Sequence, residues 1–314
     1  MKNKTALLAL ALAFAIPAVP ALAEDGPNYI EEMKRWQPKA ETGDAEAQFQ
    51  LGQMYALGHG FKQNYRTAAE WYEKAAEQGN AKARTALGLL YYYGMGVETD
   101  MKKAGELFEK SAVQDEPVAQ RYLGFIATVN ENYTEAKQWW EQAVVQNYAP
   151  AMMNIGFLYK EGKGVDKDIA EAKKWFDKAI SQKKPSGFAM YALAQLYCDG
   201  DGVEKNEQQA VKLLQEACNM STFESGPACS ELAKYYLEGK MGLPKDEQQA
   251  FNYAMKAAER GHVEGAQTLR DLAKKGFSFP ETERKRAETL SEKSTNNAHL
   301  KSLFVMQMLQ SLQE

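Results

Sequence analysis

Residues 81–116 read AKARTALGLLYYYGMGVETDMKKAGELFEKSAVQDE, and close relatives of this stretch recur five more times along the 314-residue chain. A motif that returns at a near-constant period sets the architecture before any single residue is considered. Each copy opens on a small residue, at Ala47, Ala83, Ala119, Ala151, Ala189 and Ala228, in steps of 36, 36, 32, 38 and 39. Four residues on stands a large aliphatic: Leu51, Leu87, Leu123, Ile155, Leu193 and Leu232. A small residue comes next (Gly52, Gly88, Gly124, Gly156, Ala194, Ala233), then an aromatic at Tyr55, Tyr91, Tyr159, Tyr197 and Tyr236, with Ala127 the exception. Spacings of four and three put these side chains on one stripe of a helix, the stripe that must be buried.

Paired glycines stop this first helix, at Gly58/Gly60, Gly94/Gly96, Gly162/Gly164, Gly200/Gly202 and Gly239/Gly242. Glycine suits the left-handed conformation that ends many helices. Beyond each turn stands an Asn or Asp, at Asn64, Asp100, Asn132, Asp168, Asn206 and Asp246, where an N-cap would satisfy the free N–H groups of a second helix. That helix has its own stripe, as in Ala68, Trp71, Tyr72 and Ala75, or Ala172, Trp175, Phe176 and Ala179. Six such helix–turn–helix units cannot each bury a core alone. Stacked, they form an all-α solenoid with a continuous core.

The pattern A-x-x-x-[LI]-G-x-x-Y-x-x-G-x-G-V-x-x-[DN]-x-x-x-A-x-x-[WLY]-[FY]-x-K-A resembles the Sel-1-like repeat, a cousin of the tetratricopeptide repeat, from about Ala45 to Gly261. The resemblance implies a right-handed α-solenoid that works by binding another protein, as an adaptor in envelope regulation, secretion or host interaction, or as a periplasmic immunity protein against a secreted toxin. Two departures matter. The third copy (Pro117–Tyr148) lacks the G-x-G-V turn, so a tighter connection is expected there. Ala194 and Ala233 replace the usual glycine, which is expected to widen helix packing. Cys218 and Cys229 match the positions of cysteine in the disulfide-stapled branch of the family, and a bridge between them is the expected pairing. The alternative is two buried free thiols. Cys198 is left over as a lone thiol. Some stapled members are described as β-lactam-binding or weakly β-lactam-hydrolysing, which is the rival function. Ser181 and Lys184 fit S-x-x-K, but S-D-N and K-T-G are absent.

The ends differ from the repeats. Lys2 and Lys4 precede an apolar run from Ala6 to Ile16, then Pro17, Pro20 and Ala21-Leu22-Ala23. This predicts a signal peptide over 1–23 cut before Glu24, and an exported protein, periplasmic in a Gram-negative source and otherwise secreted. A membrane anchor is the weaker reading because the run is short, and no later segment qualifies as transmembrane. Residues 24–44, with Tyr29, Ile30, Met33 and Trp36, read as the second helix of a degenerate repeat that caps the stack. Residues 45–275 hold the six repeats and a capping helix from His262 to Lys275. A tail over 276–314 follows, in which Leu300, Leu303, Phe304, Val305, Met308, Leu309 and Leu312 form an apolar helix over His299–Gln313. It is expected to pack on the last repeats; lying in the groove as a plug, or pairing with a partner helix, are the alternatives.

Without 1–23 the chain carries 36 Lys and Arg against 42 Asp and Glu, a formal charge of −6. No basic stripe suggests nucleic acid. His59, His262 and His299 lie far apart, and neither H-E-x-x-H nor paired C-x-x-C occurs, so no metal or cofactor is expected. The G-x-G turns lack the Lys-Ser/Thr of a phosphate-binding loop. Trp71, Trp139, Trp140 and Trp175 fall on second-helix stripes and are assigned to packing, with a carbohydrate platform as the sharper alternative.

At about 100° per residue, offsets +2, +6 and +9 from the opening Ala fall at about 180–240°, away from the buried stripe and on the face that lines the inner surface of tetratricopeptide-like superhelices. They are Phe49, Gln53 and Ala56; Thr85, Leu89 and Tyr92; Arg121, Phe125 and Thr128; Met153, Phe157 and Lys160; Tyr191, Gln195 and Cys198; and Ser230, Lys234 and Leu237. The row is too apolar for a solvated face, and with Arg121 and Lys160 in it resembles a protein-contact surface. Partner binding is therefore assigned to Phe49, Gln53, Leu89, Tyr92, Arg121, Phe125, Met153, Phe157, Lys160, Tyr191, Gln195 and Lys234. Burial of the row by tight curvature is the competing reading.

Overall fold

The computed structural model describes residues 29–220, 222–277, 280–295, 305, 306 and 308–313. The expected signal peptide and the first half of the expected tail helix, 299–304, lie outside the described residues. Among the described residues the chain is helical without strands. A first helix α1 (Tyr29–Glu41) precedes six pairs: α2 (Ala45–Leu57) with α3 (Tyr65–Glu77), α4 (Ala81–Tyr93) with α5 (Met101–Ala112), α6 (Pro117–Val129) with α7 (Tyr133–Val145), α8 (Ala149–Glu161) with α9 (Ile169–Ile180), α10 (Gly187–Asp199) with α11 (Glu207–Asn219), and α12 (Gly226–Glu238) with α13 (Glu247–Glu259). Then come α14 (Val263–Lys274) and α15 (Glu281–Thr295). This is the six-repeat all-α solenoid class that the periodicity predicts. The helices gather into two compact units. One runs up to Ala151 and includes the segment from Val305; the other begins at Met152 and includes α15.

The helix boundaries follow from the caps. Asn64, Asp100, Asn132, Asp168, Asn206 and Asp246 each stand at the N-cap of a second helix, with the side-chain oxygen accepting from backbone N–H groups of the first turn. At the other end of the hairpin the chain must reverse in seven residues, 94–100 in the second copy. Gly94 does so at φ +69°, where its N–H satisfies the Leu90 carbonyl. Gly96 has a different task. A Cβ there would lie 2.5 Å from the Arg66 nitrogen, so the second glycine of the turn lets one repeat dock on the start of the preceding repeat's second helix. Gly202 makes the same approach to Ile169. Gly60 does so to Tyr29, the first residue of α1, which thus sits where a preceding second helix would. In the third copy only residues 130–132 join α6 to α7, with Glu131 at φ +59°. The shorter step of that copy is this shorter turn.

Within a pair, the small residue after the aliphatic makes room for a ring. A Cβ on Gly52, Gly88 or Gly156 would fall 2.6 Å from the ring of Tyr72, Phe108 or Phe176, and one on Gly124 would strike the Trp140 indole. All four rings are fully buried. The register of the last two copies puts Leu214 and Ala254 at that ring position, opposite Ala194 and Ala233. The extra methyl therefore meets a smaller partner, and Ala233 and Ala254 share one core cluster. Packing is matched in volume pair by pair. Of the four tryptophans assigned to packing, only Trp140 is sealed; Trp71, Trp139 and Trp175 are half-exposed, and Lys74 and Lys178 lie over Trp71 and Trp175. Trp71 packs against the cluster of Ala40, Ala47 and Leu51.

At the far end α14 packs on α13 as a first helix would. A Cβ on Gly265 would lie 2.5 Å from the Ala257 Cβ. Ala287 and Leu290 of α15 join Leu269, Leu272 and Phe251 in the terminal core cluster, and Arg286 pairs with Glu259. Cys218 and Cys229 form a disulfide across the end of α11 and the start of α12.

Candidate partner-binding face

In the N-terminal unit the predicted inner row is not open. Phe49, Gln53, Thr85 and Leu89 are fully buried and Arg121 nearly so, while Tyr92, Phe125 and Thr128 are half-buried. This corrects the expectation of a solvent-lining stripe, and the glycines explain part of it. Because the second-helix rings slide over glycines, Tyr72 and Trp140 reach +2 or +6 side chains of their own pairs and Phe108 reaches Tyr92 at +9. Phe49 lies 6.0 Å from Tyr72 between ring centroids, and Phe125 lies 5.8 Å from Trp140. The Tyr72 hydroxyl donates to Gln53 Oε1 at 3.2 Å. Thr85 and Ser111 share a hydrogen bond of 2.7 Å. Tyr92 and Phe125 both meet Tyr122 edge-on, at 5.3 and 5.7 Å, and the Tyr122 hydroxyl bonds Tyr93 at 2.9 Å. Burial raises the pKa of the Tyr92, Tyr93 and Tyr122 phenols.

The second cause is the chain itself. Residues 305–306 and 308–311 are helical and belong to the N-terminal unit, instead of capping the last repeats. Val305 and Leu309 are 0% exposed, Leu312 1% and Met308 6%. Gln53 Nε2 donates to the Leu309 carbonyl at 2.8 Å, and Arg121 Nη1 reaches Met308 Sδ at 3.8 Å while its guanidinium lies 4.8 Å above the Phe125 ring. Gln313 borders a cleft of about 350 Å³ with Tyr29, Trp36, Gln50, Met54 and His59. Tyr29 stacks on His59 there at 4.1 Å, and burial lowers the His59 pKa. The reading of the tail as a cap on the last repeats is therefore wrong for this segment. Among the described residues of the tail, Phe277 and α15 pack at that end.

The C-terminal unit differs. Met153 is buried and accepts from the Ser186 hydroxyl, but Phe157, Lys160, Tyr191, Gln195 and Cys198 are half-buried and Lys234 is exposed. Phe157 meets the Phe176 ring at 5.2 Å, and the Lys160 ammonium lies 5.9 Å from the Phe157 centroid. Gln195 Nε2 donates to the Tyr191 hydroxyl at 2.8 Å, and burial raises that phenol's pKa. Cys198 Sγ lies 3.4 Å from the Tyr235 hydroxyl, and burial pushes the thiol up, away from the thiolate a nucleophile requires. Ser181 ends α9 in an exposed turn, its hydroxyl donating to the Lys178 carbonyl at 2.9 Å. Among the described residues no three His, Cys, Asp or Glu side chains converge as metal ligands, and no helix is long and apolar enough to cross a membrane.

One feature without a sequence signal is Glu224. Its Oε2 accepts from the Ser186 hydroxyl at 3.0 Å and from the Gly187 nitrogen at 2.8 Å, capping α10 from the loop that precedes α12. Its loop lies between the two bridged cysteines, with Phe223 and Ser225 buried on either side of it.

Stacked helical hairpins of this kind define a protein–protein interaction module. The Sel1 repeat model matches residues 45–80, 81–115, 117–147, 149–184, 187–221 and 226–262, and the chain belongs to that family. Among solved structures it is similar to a Sel1 repeat protein from Oxalobacter formigenes, at 27% identity and TM-score 0.61, over 73% of this chain and 98% of that one. The immunity protein Pa5087 from Pseudomonas aeruginosa shares the fold at 24% identity and TM-score 0.52, over 68% and 80% of the two chains. So does Pseudomonas aeruginosa 5086, at 21% identity and TM-score 0.51, over 75% and 88%.

Proposed function

We propose that this chain is an exported, non-catalytic adaptor or inhibitor that binds a partner polypeptide along the inner face of its first helices. The observation that carries the reading is that this face already holds a polypeptide: the segment 305–313, anchored by Gln53 on the Leu309 carbonyl and by four buried apolar side chains. In the C-terminal unit the corresponding row, from Phe157 and Lys160 through Tyr191 and Gln195 to Lys234, keeps aromatic and charged groups within reach of solvent. Aromatic anchors beside long cations are what a protein-contact surface uses. The Cys218–Cys229 bridge supports an oxidising compartment, in line with the leader expected over 1–23. That the same fold serves an immunity protein in Pseudomonas aeruginosa makes a secreted toxin one suitable kind of partner.

The test is positional. A photo-crosslinking amino acid at Phe157, Tyr191 or Lys234, expressed in the native cell, is expected to give one discrete heterologous adduct; at the exposed Val113 or Val145 it is expected to give none. Adducts from Val113 and Val145 alone would reject the inner face as the contact surface.

A further inference from the structure

The segment 305–313 is held in a way that suits a replaceable occupant. Val305, Met308, Leu309 and Leu312 stand at i, i+3, i+4 and i+7, the anchor spacing of an amphipathic helix laid in a groove. The piece is too short to be a stable helix when it is off its surface. Its polar recognition is directional. Gln53 is wholly buried, its oxygen is engaged by the Tyr72 hydroxyl of the same repeat, and its Nε2 points at whatever occupies the groove. The atom it finds is the Leu309 carbonyl, in the last helical turn, which also accepts from the Leu312 nitrogen. A buried amide donor of this kind is costly to leave unmet, so any occupant must bring an acceptor to that point. The carbonyls of a helix's last turn are the backbone groups with acceptor capacity to spare.

We infer that residues 305–313 are an exchangeable, self-supplied ligand of the inner face of repeats one to three. The partner of that face is an amphipathic helix with apolar side chains at i, i+3, i+4 and i+7 whose final turn offers a carbonyl to Gln53. The inference deepens the inner-face reading by naming the class of partner, and it implies that the tail competes with that partner. A tethered competitor lowers the apparent affinity of a free ligand by the fraction of time it vacates the site.

The probe is a dye-labelled synthetic peptide of residues 299–314, titrated into the chain from residue 24 onward. Replacing Leu309→Asp and Leu312→Asp in that chain is expected to release the tail and leave helicity and cooperative unfolding in place. The peptide is expected to bind this variant one-to-one, and the unsubstituted chain at least about tenfold more weakly. Adding Gln53→Leu to the released variant is expected to weaken binding again. A folded variant that ignores the peptide overturns the inference, as does equal binding to both chains. So does a variant that loses its helicity, because the segment is then core and not ligand. In the unsubstituted chain, amide exchange at 308–313 is expected to run orders of magnitude faster than in the middle of α2 and α6; equal protection overturns the inference too. Crosslinks from Phe157 or Tyr191 with no peptide binding would sink this inference alone and leave the inner-face reading standing.

Discussion

Repeats one to three and repeats five and six solve one packing problem with different side chains. In the first group a ring (Tyr72, Phe108, Trp140) fills the space over a glycine, and Phe49, Gln53, Thr85, Leu89 and Arg121 of the predicted row are buried beside it, with Tyr92, Phe125 and Thr128 half-buried. In the second, the register puts Leu214 and Ala254 opposite Ala194 and Ala233, and of the predicted row Tyr191, Gln195 and Cys198 are half-buried and Lys234 is exposed, while Ser230 is buried. The thinner pairs carry devices that repeats one to three lack: the Cys218–Cys229 bridge and the Glu224 cap. The difference teaches that a repeat keeps its backbone when its filling shrinks, provided that cross-links and caps make up for lost apolar contact.

The largest expected effect tests the filling itself. Trp140→Ala is expected to cost about 4 kcal/mol and Leu214→Ala about 3 kcal/mol, read from urea unfolding followed by helicity. A larger loss at Leu214 would break the contrast. Stability in repeat arrays is distributed over neighbours, so amide exchange has to show in which repeats each loss falls.

The next effect follows pH. Burial, opposed by the nearby Glu264 carboxylate, lowers the His262 pKa to about 4, against an ordinary value of 6.5. Below about pH 6.5 the unfolded chain therefore takes up a proton that the folded chain refuses. The stability of the last repeats is complete above that pH and falls as pH drops toward 4, by up to about 3 kcal/mol. His262→Gln is expected to flatten this slope; an unchanged slope assigns it to other groups.

Replacing Cys218 and Cys229 by serine is expected to cost about 2–3 kcal/mol, from an eleven-residue separation. The loss of exchange protection should concentrate in α10 to α13 and spare α2 to α7. Uniform loss would mean that the bridge supports the whole chain rather than its thin end. The smallest expected effects swap the two fillings. Gly156→Ala, whose methyl would lie 2.6 Å from the Phe176 ring, is expected to destabilise by about 1–3 kcal/mol. Ala194→Gly is expected to cost about 1 kcal/mol, for helix propensity alone. Equal costs would say that pair volumes are not matched.

Much of this was legible in the residues. The N-caps from Asn64 to Asp246 and the short turn of the third copy are local, and fixed spacing betrays them. The disulfide was legible only through likeness to a family. The inner row was misread where it mattered most. Taking Phe49, Gln53, Leu89 and Arg121 as lining an open face rested on ideal helix angles. Those angles carry no information about a ring that slides over a glycine from the neighbouring helix. Nor do they register a segment 256 residues away that seats its Leu309 carbonyl on Gln53. The tail's apolar pattern was visible, but an amphipathic helix does not say which surface it prefers.

From the sequence alone came the hairpin, its caps, its turns and the number of copies, because each depends on residues within one helical turn or one repeat of each other. Only the tertiary structure decided which faces close and which stay within reach of a partner. That choice depends on side chains brought together from distant parts of the chain, where burial and hydrogen-bond demand act at contact range and leave no period to read.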